Sequence, residues 1–191
     1  MSMLPLLLTL LTGDPTGQAA AIIPDPETCV LSLEDRISNR SLPFNAFDQQ
    51  GVTAATARKL GERECNNTAA EATEDYLLFG PQVTEYQRNV LSWHLAQFLA
   101  LAGREEEAAR VIATTRRTAV DEADGFDWNT YVVGTWAFLR KDRETLDAAQ
   151  ATLSTAPGVR NSMNARVLRR LQTCFDRSYR AAYRDADCAV D

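Results

Sequence analysis

The sequence predicts an all-α protein built of stacked antiparallel helical hairpins, an α-α superhelix of about three to four degenerate units. Three observations carry that expectation. From Thr53 onward apolar residues recur at helical spacing, and no alternating β-branched run is bounded by turn signals, with Tyr131-Val132-Val133 the one ambiguous stretch. Helix punctuation recurs along the same region. A pattern of aromatic helix, polar turn and small-residue helix also returns at a near-constant interval. A chain of 191 residues, 45% hydrophobic and 24% charged, fits one globular domain and argues against disorder.

The organisation reads as residues 1–21, 22–52 and 53–191. The first stretch, "MSMLPLLLTLLTGDPTGQAAA", has an apolar run at Leu4–Leu11 followed by small residues that suit cleavage after Ala19 or Ala21, although it has no basic n-region. We read it as a signal peptide; its apolar run is too short to span a bilayer. The stretch "IIPDPETC" holds two prolines and should be extended. Ser32-Leu33-Glu34-Asp35 opens a short helix with acid in its first turn, and "NRSLPFNAFDQQG" reads as a loop whose Phe44 and Phe47 pack against something.

The helical region can be divided by its stops and caps. Gly80-Pro81 ends one helix. Thr84 with Gln87 makes a capping box for the next, which runs through Leu91, Leu95, Phe98 and Leu99 and ends at Gly103. "REEEAARVIATTRR" restarts with acids at its beginning and Arg116-Arg117 at its end, the arrangement favoured by the helix dipole. Asp127 caps the helix carrying Tyr131, Gly134 and Phe138, and the following helix ends at Ala156-Pro157-Gly158. Asn161 or Ser162 is expected to cap the segment through Val167, Leu168 and Leu171.

Laid over one another, "FLALAGREEEAARVI" and "WAFLRKDRETLDAAQ" place Gly103 on Lys141, 38 residues later. The same frame puts turns at Asn67 and Arg177, each 36 residues from its neighbour. Such periods indicate stacked hairpins, none of which can hide its apolar face alone.

Leu95, Ala96, Leu99, Gly103, Ala108 and Ile112, and in the next unit Val133, Gly134, Ala137 and Leu146, resemble the helix A, turn and helix B pattern of the tetratricopeptide repeat family. The likeness covers roughly residues 53–184. It departs from the pattern in three ways: Trp93 stands one place off the expected tryptophan, no unit ends in the expected proline, and the spacing is longer than usual. The stretches "WNTYVVGTWAFLRKDR" and "CFDRSYRAAYRDADC" also resemble a group of small exported bacterial proteins, which implies no chemistry. The repeat resemblance implies an inner surface lined by Trp93, Gln97, Trp128, Tyr131 and Thr135, where aromatic and amide groups would hold a protein or peptide partner. Against that stands the plainer reading that Trp93, Trp128, Tyr131 and Trp136 face the core.

The net charge of −6 and pI near 4.9 disfavour nucleic acid as a partner. No GxSxG, HExxH, GxGxxG or P-loop occurs, and nothing implies a cofactor or metal. His94 is the only histidine, and its neighbours at helical spacing, Val90, Leu91, Gln97 and Phe98, include no orienting acid, so we assign no catalytic residue. An enzyme using His94 would need a carboxylate from another helix. Glu105, Glu106 and Glu107 suit a helix start, and Glu71, Glu74 and Asp75 a solvated face.

Between Gly158 and Arg184 seven arginines meet one acid, Asp176. Arg166, Arg169, Arg170, Arg177, Arg180 and Arg184 therefore form a candidate basic patch, either for an anionic partner or to balance the acidic units before it. Cys29, Cys65, Cys174 and Cys188 are even in number and lack the short pairs of a zinc site, which suits disulfides in an oxidising compartment. Of the three connectivities we favour the sequence-local one, Cys29–Cys65 and Cys174–Cys188, which ties each terminal segment to its neighbouring helix. The expectation is a noncatalytic protein- or peptide-binding scaffold of the bacterial envelope, periplasmic or secreted; a small exported enzyme and a self-associating structural module are the alternatives.

Overall fold

The computed structural model describes residues 22–117 and 125–189, so residues 1–21, which the sequence reads as a signal peptide, lie outside the described residues. Within them the chain is all-helical. The elements are α1 (Leu33–Asn39), a π-helical turn (Asn45–Gln50), α2 (Ala57–Glu62), α3 (Asn66–Phe79), α4 (Glu85–Leu101), α5 (Glu105–Ala113), α6 (Trp128–Leu139), α7 (Arg143–Thr155), α8 (Val159–Thr173) and α9 (Tyr179–Arg184). A 3₁₀ turn, Ala186–Cys188, follows. Each helix from α2 to α8 packs on the next, and α6 also meets α8.

Three hairpins close through one geometry. Glu64, Gly103 and Lys141 adopt left-handed backbone (φ 63°, 80° and 57°) and stand 39 and 38 residues apart. At each, the following N–H reaches back past the helix end: Cys65 to Leu60 O at 3.0 Å, Arg104 to Leu99 O at 2.9 Å, Asp142 to Ala137 O at 2.8 Å. These are Schellman caps, and the next helix starts one residue later. The first turn is thus at Glu64, not Asn67, which lies inside α3. Asn67 has a different duty there: its N–H and that of Thr68 donate to Asp25 at 2.9 and 2.7 Å, so an acid from the N-terminal segment caps α3. Arg177 does connect α8 to α9, but without left-handed backbone; its N–H returns to Cys174 O at 3.0 Å.

Most caps fall where the sequence placed them. Ser32 with Asp35 and Thr84 with Gln87 form capping boxes, and Asp127 accepts from Thr130 N–H. Other boundaries differ. The stretch after Pro43 is not a loop: Phe44 and Phe47 are buried, Phe47 stacks on Tyr76 at 4.0 Å, and the π-helical turn carries Asp48 inward. α5 ends at Ala113 rather than at Arg116-Arg117, and the Thr115 carbonyl beyond it accepts from Trp128 Nε1. α8 starts after Gly158, which puts Asn161 inside its first turn; the Asn161 side chain binds Asp127 N, Gly125 O and Pro157 O and ties α8 to the start of α6.

Both disulfides have the sequence-local pairing, Cys29–Cys65 and Cys174–Cys188. The second closes a C-terminal segment that crosses all three turns in reverse order. Lys141 Nζ donates to the carbonyls of Phe175 and Arg177 at 2.9 and 2.8 Å, Tyr179 N–H donates to Glu105 at 2.6 Å, and Arg180 and Arg184 reach Glu64 at 3.4 and 3.1 Å. α9 is therefore less the second helix of a fourth hairpin than a strap across the first three. No helix among the described residues is long and apolar enough to cross a membrane.

Candidate functional site

One face of α4 carries Tyr86, Val90, Trp93, His94 and Gln97 at helical intervals. Across from it α6 presents Trp128 and Tyr131, and α8 presents Arg160 and Asn164. Between them lies a cavity of about 450 Å³, flanked by Phe44, Asn45 and Gln49 around the π-helical turn, by Phe126, and by Tyr183 of α9. That size falls within the range of small-ligand sites.

The aromatic groups are wall and core at once. Trp93 meets Trp128 edge-on at 5.2 Å and Tyr131 at 4.9 Å, and the three are 4%, 8% and 5% exposed. Trp128 donates its indole N–H to Thr115 O at 2.8 Å and carries the Arg117 guanidinium over its ring. Burial pushes the Tyr131 hydroxyl well above the ordinary tyrosine range, and Tyr179 beneath it likewise, so both stay neutral hydroxyls. Trp93, Gln97, Trp128 and Tyr131 thus share one wall. Thr135 stands outside it: the residue is buried, and its hydroxyl donates to Tyr131 O at 3.1 Å. Trp136 borders a separate groove with Ala113, Arg116, Val132 and Val133.

His94 has the carboxylate partner that its own helix lacks. Its Nδ1 lies 2.8 Å from Asp48 Oδ1, across 46 residues of sequence, and Asp48 is 2% exposed. The other Asp48 oxygen accepts from the Gln49 side chain, and Arg58 Nε donates to the Asp48 carbonyl at 3.1 Å. π-helical turns are frequent at functional sites because the extra residue redirects a side chain. Here that side chain is the one that orients the histidine. The sequence offered little notice of Asp48, which sits in a stretch without periodicity; its only signal is an acid beside the two phenylalanines that needed a core. Tyr86, Phe126, Asn164 and Tyr183 were also not singled out as site residues.

Most arginines of the candidate patch have partners within the chain. Arg170 donates to the carbonyls of Ala182 and Asp185, Arg177 pairs with Asp185 and with Asp187 at 2.9 Å, and Arg180 and Arg184 engage Glu64. Arg166 and Arg169 are exposed on α8. Four of the six therefore fasten the strap. Among the described residues no three His, Cys, Asp or Glu side chains are grouped to hold a metal ion.

Compared with known protein families, with characterised proteins and with solved structures, the chain matches none.

Proposed function

We propose that the chain is a noncatalytic binding scaffold that receives a protein or peptide segment at the cavity between α4, α6 and α8. The observation that carries this reading is the convergence of Trp93, Gln97, Trp128 and Tyr131 on one wall. Three consecutive hairpins with matched turns support a tetratricopeptide-like arrangement, in which first helices line the inner surface. At about 450 Å³ the cavity suits one or two inserted side chains rather than a long extended segment. Two disulfides support a life in an oxidising compartment, as for an exported bacterial envelope protein.

Binding to an array of short peptides tests the reading. Wild type should retain a defined subset, Trp93→Phe with Gln97→Leu should lose it, and Thr135→Ser should keep it. An array that retains nothing, or an identical pattern for all three proteins, would sink the proposal.

A second reading, a small exported enzyme, is favoured by one observation, the His94–Asp48 pair facing a cavity. The wall residues include no serine, threonine or cysteine, so His94 would have to activate water or a substrate hydroxyl. Turnover of an ester, amide or glycoside that vanishes in both His94→Ala and Asp48→Asn would establish it over the first reading.

A further inference from the structure

We infer that the cavity takes an uncharged primary carboxamide, with His94 accepting its N–H and Trp93 donating to its carbonyl. This rests on the reading of the cavity as a binding site and specifies what the site recognises.

The Asp48 carboxylate is acceptor-only, so the neutral His94 ring must place its proton on Nδ1, 2.8 Å away. That leaves a lone pair on Nε2, and Nε2 has no partner among the described residues. Burial of Asp48 and its second bond from Gln49 hold this tautomer in place. Asp48 is accordingly a positioning residue.

Trp93 supplies the opposite polarity. Its indole N–H can only donate, and the ring borders the cavity. The contrast with Trp128, whose N–H is bonded to Thr115 O, marks the difference between a ring used for architecture and one left open to the cavity. The Tyr131 hydroxyl, held neutral by burial, is unpartnered on the same wall. A donor and an acceptor on consecutive residues of α4 thus both border the cavity, and a guest that supplies the complement of both fits them.

Charge narrows the class. A carboxylate has no proton to offer Nε2, and an ammonium has no lone pair to offer Trp93. A carboxamide carries both functions in one planar group, of a shape that lies between aromatic rings.

The test uses the full chain, ¹⁵N-labelled, at pH 8. Long-range ¹H–¹⁵N spectra of His94 should show the Nδ1–H tautomer in wild type and the Nε2–H tautomer in Asp48→Asn, whose amide donates to Nδ1. An Nε2–H ring in wild type overturns the inference. Phenylacetamide, phenylacetate and 2-phenylethylamine are then titrated while the Trp93 indole N–H is followed, with Trp136 as internal reference. Phenylacetamide alone should shift Trp93 saturably, and its affinity should fall about tenfold in Asp48→Asn, the scale of one lost hydrogen bond. Equal shifts from all three probes, a shift from a charged probe alone, or none up to solubility would each overturn it. If Asp48→Asn fails to fold, His94→Phe serves in its place and should lose the amide preference. Should array peptides move Trp93 while phenylacetamide does not, the binding function stands and the carboxamide inference falls. If neither moves Trp93, both fall.

Discussion

The backbone N–H of Tyr179 lies 2.6 Å from Glu105 Oε1, joining residues 74 apart in sequence. It is the middle of three attachments through which the C-terminal strap grips successive hairpin turns. Burial raises the Glu105 carboxyl, with the Tyr179 N–H and the Lys141 charge opposing that rise. A carboxyl raised in the folded state stabilises it at low pH, and that stability is lost as pH rises through the folded value. Glu105→Gln keeps an acceptor for Tyr179 without burying a charge. At neutral pH it should therefore unfold no earlier than wild type, with any gain below about 1 kcal/mol and vanishing below pH 4. Glu105→Ala leaves the N–H without an acceptor and should cost about 1–2 kcal/mol. Urea unfolding at pH 4 and pH 7 checks both, and equal destabilisation by Gln and Ala would refute the role given to the acceptor.

The outer two attachments explain why two of the three turns lack glycine. Left-handed backbone costs a residue with a side chain roughly 1 kcal/mol, yet Glu64 and Lys141 occupy it. Each uses its side chain on the strap, Glu64 for Arg180 and Arg184, Lys141 for two carbonyls. Gly103 has no such duty, because its neighbour Glu105 provides the grip. Lys141→Met keeps the backbone and the stem but removes both donations, and should cost about 1–2 kcal/mol. Gly103→Ala should cost about 1 kcal/mol through backbone strain. Amide exchange separates the two: the Lys141 variant should speed exchange in α9, while the Gly103 variant leaves α9 as it was.

How far these features were legible in the sequence depended on their range. Caps such as Thr84–Gln87 and Asp127 are local, and so was the recurrence of Gly103 in Lys141; the sequence places them where they stand. The disulfide pairing followed from proximity along the chain. Glu64 escaped because nothing marks a glutamate as left-handed until the strap's arginines are known. Asp48 escaped because a π-helical turn has no residue pattern of its own, and its partner His94 is 46 residues away. Trp93, Gln97, Trp128 and Tyr131, which the repeat resemblance implied as inner-surface residues, border one cavity, whereas Thr135, one turn after Tyr131, turns its hydroxyl to the Tyr131 carbonyl.

Arg40 donates to both oxygens of Asp75, through Nε at 2.8 Å and through Nη2, and lies over the Phe79 ring at 4.6 Å. The guanidinium holds the Asp75 carboxyl below the usual carboxylate range. A depressed carboxyl stabilises the fold above its unfolded value, about 3.9, and loses that contribution as pH falls through the folded value. Asp75→Asn should therefore lower the melting temperature by a constant amount above pH 5, with the difference closing in more acid solution. A difference that persists undiminished at pH 2 would show that packing, and not the ion pair, joins α1 to α3.

Removing either disulfide should destabilise the chain unequally. By chain entropy the bridge of sequence separation 36, Cys29–Cys65, contributes about 4 kcal/mol, and that of separation 14, Cys174–Cys188, about 3 kcal/mol. Cys174→Ser with Cys188→Ser should also loosen α9, and with it the Tyr183 side of the cavity. Thiol labelling in denaturant without reductant should find no free thiol in protein from an oxidising compartment. Two free thiols would remove one bridge, and four would remove both.

At Gly134 of α6 the helices α7 and α8 pack close. A Cβ there would stand 2.5 and 2.9 Å from the two methyl groups of Leu168 and 3.1 Å from Ala149 Cβ. Alanine is the better helix former by about 1 kcal/mol, so an exposed glycine replaced in this way would gain stability. Here the neighbours decide the sign. Leu168 is fully buried and cannot swing aside without displacing the core between α6, α7 and α8. Gly134→Ala should cost a net 1–3 kcal/mol, roughly the range for overpacking. Leu168→Ala alone should cost about 2–5 kcal/mol through the void it leaves. Together the two should cost less than their sum, because each change makes room for the other. Urea unfolding of the four proteins closes the cycle, and strict additivity would mean that Gly134 is not the contact that sets how closely α6 and α8 approach.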